Sequence, residues 1–106
     1  TNFMKRLKSK NIILFSTGRY GRSVLEQMNK INIKIHAIVD NNASFQNIKV
    51  ENLKVKSPYY LKKNLKKFIN YNIFICNQNK YDYQRIKKQR RKIGYNNLNI
   101  LQFDIL

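Results

Sequence analysis

The sequence predicts an α/β fold, a small three-layer domain with a mainly parallel sheet. Two observations predict it. The apolar runs "IILF" (Ile12–Phe15) and "IFIC" (Ile73–Cys76) are short and continuous, as in strands buried on both faces of a parallel sheet. Between such runs lie segments with helical spacing, punctuated by glycine, proline and asparagine. A chain of 106 residues with 42% hydrophobic content suits one globular domain with one core, over residues 1–106.

Ile12–Phe15 reads as the first strand. Arg22 to Ile31 reads as a helix, because Val24, Leu25, Met28 and Ile31 fall at i, i+1, i+4 and i+7. Lys34 to Val39 ("KIHAIV") reads as a second strand, followed by Asp40. Asn41 to Asn52 is polar and loop-like, with room for a small strand near Ile48–Val50 or Leu53–Val55. Ser57-Pro58 then opens a helix, with serine as N-cap and proline at the first helical position. Leu61, Leu65, Phe68 and Ile69 form its apolar stripe, and Lys62, Lys63, Lys66 and Lys67 lie largely outside it. Asn72 to Cys76 is the next strand. Asn79 and Asp82 have capping-box spacing, with Asp replacing the usual Glu. That helix runs to about Ile93, with Arg90, Arg91 and Lys92 near its negative end and Gly94 as the stop signal. Asn99 to Phe103 supplies the last strand. The order β-α-β-(β)-α-β-α-β implies right-handed crossovers with helices on both faces, a Rossmann-like arrangement.

The net charge is +17, from 22 Lys and Arg against 5 Asp and Glu. A balance this basic fits nucleic acid, an acidic membrane surface or a polyanionic substrate. Asn (16), Lys (16) and Ile (14) all have A/T-rich codons, so genome drift and a solvated surface account for the charge equally simply. Lysine outnumbers arginine 16 to 6, whereas bidentate phosphate and base contacts favour arginine. No stretch approaches the ~20 apolar residues of a spanning helix. The single cysteine excludes an internal disulfide and points to a reducing compartment, with the cytoplasm as the expectation. The start at Thr1 and the stop at Leu106 in an apolar stretch fit a piece of a longer protein or a small protein with a trimmed start.

The turn after the first strand carries the main chemical signal. Ser16-Thr17-Gly18-Arg19-Tyr20-Gly21 occupies the place of the G-x-G-x-x-G dinucleotide fingerprint. Gly18 stands where the backbone must approach a pyrophosphate, and Gly21 where helix and strand must pack closely. Ser16 replaces the first glycine. Asp40 follows at the carboxyl end of the second strand, where a carboxylate can accept hydrogen bonds from both ribose hydroxyls and repel a 2′-phosphate. Arg19 and Arg22 lie at the positive end of the helix, which makes better sense beside an anion.

No catalytic constellation is visible. The lone His36 sits on a sheet face, Cys76 follows three apolar residues as a buried hydrophobe would, and Glu26, Glu51, Asp82 and Asp104 are dispersed. One cysteine and one histidine do not make a usual zinc site. The tyrosines Tyr59, Tyr60, Tyr71, Tyr81 and Tyr83 are interleaved with lysines, which can serve single-strand binding, but no nucleic-acid module signature accompanies them.

The segments "IILFSTGRYGRSVLEQM", "IKIHAIVDNN", "IKVENLKVKSPYYL", "YNIFICN" and "YDYQRIKKQRRKIGY" together resemble a Rossmann-like accessory domain of bacterial surface-sugar enzymes. That domain precedes PglD-type sugar acyltransferases and is attached to some methyltransferases and glycosyltransferases. The likeness covers about residues 11 to 103, with Pro58 and Leu61 matching and Asn52 where glycine is common. It implies that Ser16, Thr17, Gly18, Arg19, Tyr20 and Gly21, with Asp40, Asn41 and Asn42, hold the nucleotide of a nucleotide-sugar, and that Asn77 faces the same crevice. The hexapeptide repeats of the acyltransferase branch are absent from this sequence. The expectation is thus a domain for a nucleotide-sugar or an NAD-like dinucleotide, working with an attached or partner catalytic domain. Two other readings stay open. One is a polyanion-binding module for nucleic acid, an acidic membrane or a glycan, using Lys62, Lys63, Lys66, Lys67, Lys87, Lys88, Arg90, Arg91 and Lys92; the other is an interaction domain with a vestigial turn.

Overall fold

The computed structural model describes residues 11–16, 19–76, 80–95 and 100–102. Strand β1 (Ile12–Ser16) leads through helix α1 (Arg19–Lys30) to β2 (Ala37–Asp40). A single 3-10 turn (Ala43–Phe45) and a hairpin of β3 (Lys49–Val50) and β4 (Leu53–Lys54) follow. Two short helices, α2 (Tyr59–Lys63) and α3 (Leu65–Phe68), lead to β5 (Asn72–Cys76), then α4 (Lys80–Ile93) and β6 (Ile100–Gln102). The main sheet has the order β2-β1-β5-β6, and every pairing in it is parallel.

This order dictates the layers. The chain leaves β1 in one direction to reach β2, then returns across β1 to β5 and continues to β6. Right-handed crossovers therefore put α1 on one face and α2, α3 and α4 on the other. The side chains agree. Ile12, Leu14, Ile38 and Phe74 face Val24, Leu25 and Met28 of α1. Ile13, Phe15, Val39 and Ile75 face Leu61, Phe68 and Ile86 of the other helices. Successive strand residues feed opposite clusters, which is why the runs are apolar without alternation. The α/β three-layer expectation is met.

Several local features differ from the sequence reading. Helix α1 starts at Arg19, three residues earlier than expected, and Ile31 lies in the turn beyond it. Ser57 does not cap α2: the N-cap position falls on Pro58, with no side-chain hydrogen bond. The expected single helix is two, broken at Asn64, whose backbone N–H and Nδ2 both donate to the Tyr60 carbonyl. A side chain competing for that carbonyl favours a break over a continued helix. The loop after β2 contains a true hairpin, which two-residue strands scarcely announce. Asp82 pairs with Arg85 at 3.4 Å, while its expected capping partner Asn79 lies outside the described residues, as do Asn99 and Phe103. Gly94 ends α4 at φ 125°.

Candidate functional site

The carboxyl ends of three adjacent strands form the candidate site. Ser16, at the end of β1, is in register with Asp40 of β2 and with Cys76 of β5. The chain leaves β1 towards α1 on one face and leaves β5 towards α4 on the other. The two helices lie on opposite faces, which makes this the switch point where parallel sheets of this kind commonly offer a ligand crevice. Thr17, Gly18 and Asn77 lie outside the described residues.

The first turn of α1 borders that crevice. Arg19 is exposed, Arg22 is half-buried, and the turn contains no acidic residue. Tyr20 packs against the apolar cluster beneath α1. Gly21 is buried on the same sheet-facing stripe as Val24, Leu25 and Met28, at i, i+3, i+4 and i+7.

Asp40 is only 1% exposed. Its Oδ1 accepts the backbone N–H of Asn42 at 2.8 Å, its carbonyl accepts Gln46 Nε2 at 2.9 Å, and its own N–H donates to the Lys56 carbonyl at 3.0 Å. Asn42 in turn caps the 3-10 turn, its Oδ1 accepting the Ser44 N–H at 2.9 Å. Asn41 exchanges two hydrogen bonds with Gln89 of α4, at 2.7 and 2.8 Å. Asp40, Asn41 and Asn42, the "DNN" at and just beyond the end of β2, thus hold local structure there. Gln46, Lys56 and Gln89 were not singled out from the sequence. Lys56 follows from its edge pairing with Val39; nothing in the pattern announces Gln46 or Gln89.

The remaining candidate reactive groups are held in place by burial or ring packing. Cys76 is fully buried, and burial pushes its thiol far above the usual range. His36 packs its ring edge-on to Phe68 and Tyr71, each at 5.2 Å. Partial desolvation, with Lys67 and Lys34 nearby, lowers its pKa from the ordinary 6.5. Arg90, read from sequence as part of a surface basic run, is wholly buried. It sits with Tyr83, Ile86 and Ile93 on the sheet-facing stripe of α4, at i, i+3, i+7 and i+10 from Tyr83, and burial lowers its pKa to about 10. Among the described residues no group of acids, histidine and cysteine could hold a metal, and no helix is long and apolar enough to cross a membrane.

Solved structures share this fold at low identity. UDP-D-quinovosamine 4-dehydrogenase from Vibrio fischeri is 14% identical, with a TM-score of 0.66 over 92% of this chain and 81% of that one. RSP in complex with β-NADH is 12% identical, with a TM-score of 0.63 over 99% of this chain and 58% of that one. A second structure of RSP, a Rex-family repressor, is 16% identical, with a TM-score of 0.60 over 89% of this chain. The chain spans only 47% of that repressor's length. No curated protein matches it in sequence. The family described as C2185-like, N-terminal, matches residues 8–101, and the chain belongs to that family.

Proposed function

We propose that this chain is a nucleotide-binding domain that holds a nucleotide-sugar or an NAD-like dinucleotide at the crevice between β1 and β5. In this reading it is the substrate-holding, non-catalytic part of a surface-polysaccharide or nucleotide-sugar enzyme, with the chemistry supplied by an attached or partner domain. One observation supports it: β1, the strand that leads into the glycine-bearing segment, ends beside the acid that ends β2, with Ser16 in register with Asp40. The free N–H groups at the start of a helix attract a phosphate, and Arg19 and Arg22 add charge where a helix start alone would disfavour it. Asp40 accepts the ribose hydroxyls and disfavours a 2′-phosphate. A ligand reaches that carboxylate by loosening the Asn42 turn that covers it. The resemblance to surface-sugar accessory domains supports the nucleotide-sugar; the fold shared with the RSP structure that contains β-NADH supports the dinucleotide.

The test is a thermal-shift screen at moderate salt with NAD, NADP, UDP- and CDP-sugars, coenzyme A and S-adenosylmethionine, with polyphosphate and a short DNA as charge controls. A ligand at ~100 times its dissociation constant adds ~2.7 kcal/mol. One nucleotide should raise Tm clearly more than the charge controls do, and Asp40→Asn and Gly18→Val should weaken its binding at least about tenfold. Equal shifts from every polyanion, or none from any nucleotide, overturn the proposal.

A further inference from the structure

Two lysine-rich segments that lie apart in sequence share one side of the sheet. Helices α2 and α3 and helix α4 pack onto the same apolar cluster through Leu61, Phe68 and Ile86. They also touch each other. Tyr95 Oη donates to the Leu61 carbonyl at 2.8 Å, and a Cβ on Gly94 would stand 3.0 Å from Leu65 Cδ2. Their outward surfaces therefore join into one layer. Lys62, Lys63, Lys66 and Lys67 are exposed on one part of it, and Lys88 and Lys92 on the other. Among the described residues the one acid on these helices is Asp82, paired with Arg85 at 3.4 Å. The opposite side differs, because Glu26 and Glu51 are set among its basic residues.

The same layer carries exposed apolar groups. Tyr59 is 66% exposed, Tyr81 78% and Ile69 36%. On α4, Tyr81 and Lys88 are seven residues apart, so they share one solvent-facing ridge.

We propose that this layer is an interaction surface for an anionic membrane. Charge complementarity is the first reason: a surface with almost no acid on it faces a sheet of negative charge at no cost in like-charge contacts. Residue choice is the second. Lysine is a compact, strongly hydrated point charge suited to a diffuse anionic surface, whereas recognition of discrete phosphates and bases favours the arginine fork. The tyrosines fit as well, because their amphipathic rings settle at headgroup level.

The test is co-sedimentation of the full 106-residue chain with phosphatidylcholine vesicles, with and without about 30% phosphatidylserine. Two variants of equal net charge are compared after circular dichroism confirms their fold. One carries Lys62→Gln, Lys66→Gln and Lys88→Gln; the other carries Lys30→Gln, Lys49→Gln and Lys54→Gln on the opposite side. With roughly a fivefold contribution per lysine, the first should lose about a hundredfold in partitioning to anionic vesicles and the second less than about threefold. Tyr59→Ala with Tyr81→Ala should weaken binding severalfold at unchanged charge. Equal losses in the two lysine variants would show that net charge alone acts, and would overturn the proposal. So would absence of binding to anionic vesicles, or tighter binding to a short single-stranded DNA at the same salt.

Discussion

Asp40 and Arg90 are the two charged side chains buried among the described residues, and they show how far single positions can be read in advance. Asp40 was singled out because an acid ending a strand after a glycine turn has a specific use; its place at the sheet edge was legible, its burial under the Asn42 turn was not. Arg90 was misread as surface because it sits inside the run "KKQRRK". Counting inward from Tyr83, Ile86 and Ile93 would have placed it on the buried stripe. His36 gives a prediction at this scale. Its pKa is lowered by partial desolvation and by Lys67 and Lys34. The folded state thus binds its proton less readily than the unfolded chain, so this group's contribution to stability is present above pH 6.5 and lost as pH falls below it. NMR titration should place His36 below 6.5, and Lys67→Gln should move it upward. A midpoint at or above 6.5 would show that the ring is fully solvated.

Elements were legible where burial on both faces writes a continuous apolar run. β5 matches its expected span and β1 gains only Ser16. They were illegible where a few backbone hydrogen bonds decide, as at Asn64; the β3–β4 hairpin was legible only as one small strand at either of two places, and both strands form. That hairpin turns through Glu51 and Asn52, both at positive φ (47° and 68°). A two-residue loop with both central residues left-handed is the turn that favours Asn-Gly, and a non-glycine residue there is strained by about 1 kcal/mol. Asn52→Gly should therefore stabilise the chain by about 0.5–1 kcal/mol, a rise in Tm of a few degrees by calorimetry. An unchanged or lower Tm would mean that the turn relaxes without help. Gly94 runs the other way. At φ 125°, with Leu65 Cδ2 3.0 Å from its missing Cβ, Gly94→Ala should cost about 1–3 kcal/mol. Tyr95→Phe should cost about 1 kcal/mol through the lost bond to Leu61, and urea titration of both variants measures how firmly α4 is tied to α2 and α3.

At the scale of the whole molecule, charge and fold act against each other. A net charge of +17 is gathered within a radius of gyration of 12.6 Å, close to the Debye length of ~10 Å at 0.1 M salt. Much of the lysine–lysine repulsion is therefore unscreened at low salt and opposes compaction. Tm should rise by several degrees between about 0.02 and 0.5 M sodium chloride. A flat profile would mean that the lysines are spread widely enough to ignore one another. The same argument separates the crevice from the basic layer. Polyphosphate relieves repulsion wherever it lands, so its stabilising effect should fade as salt rises. A nucleotide seated between the start of α1 and Asp40 is held also by directed hydrogen bonds, which salt screens far less. A nucleotide shift that persists at 0.5 M while the polyphosphate shift disappears would assign the two kinds of binding to opposite causes, one local to the sheet edge and one spread over the surface. If the two shifts fade together, the crevice adds nothing that the basic surface does not already supply.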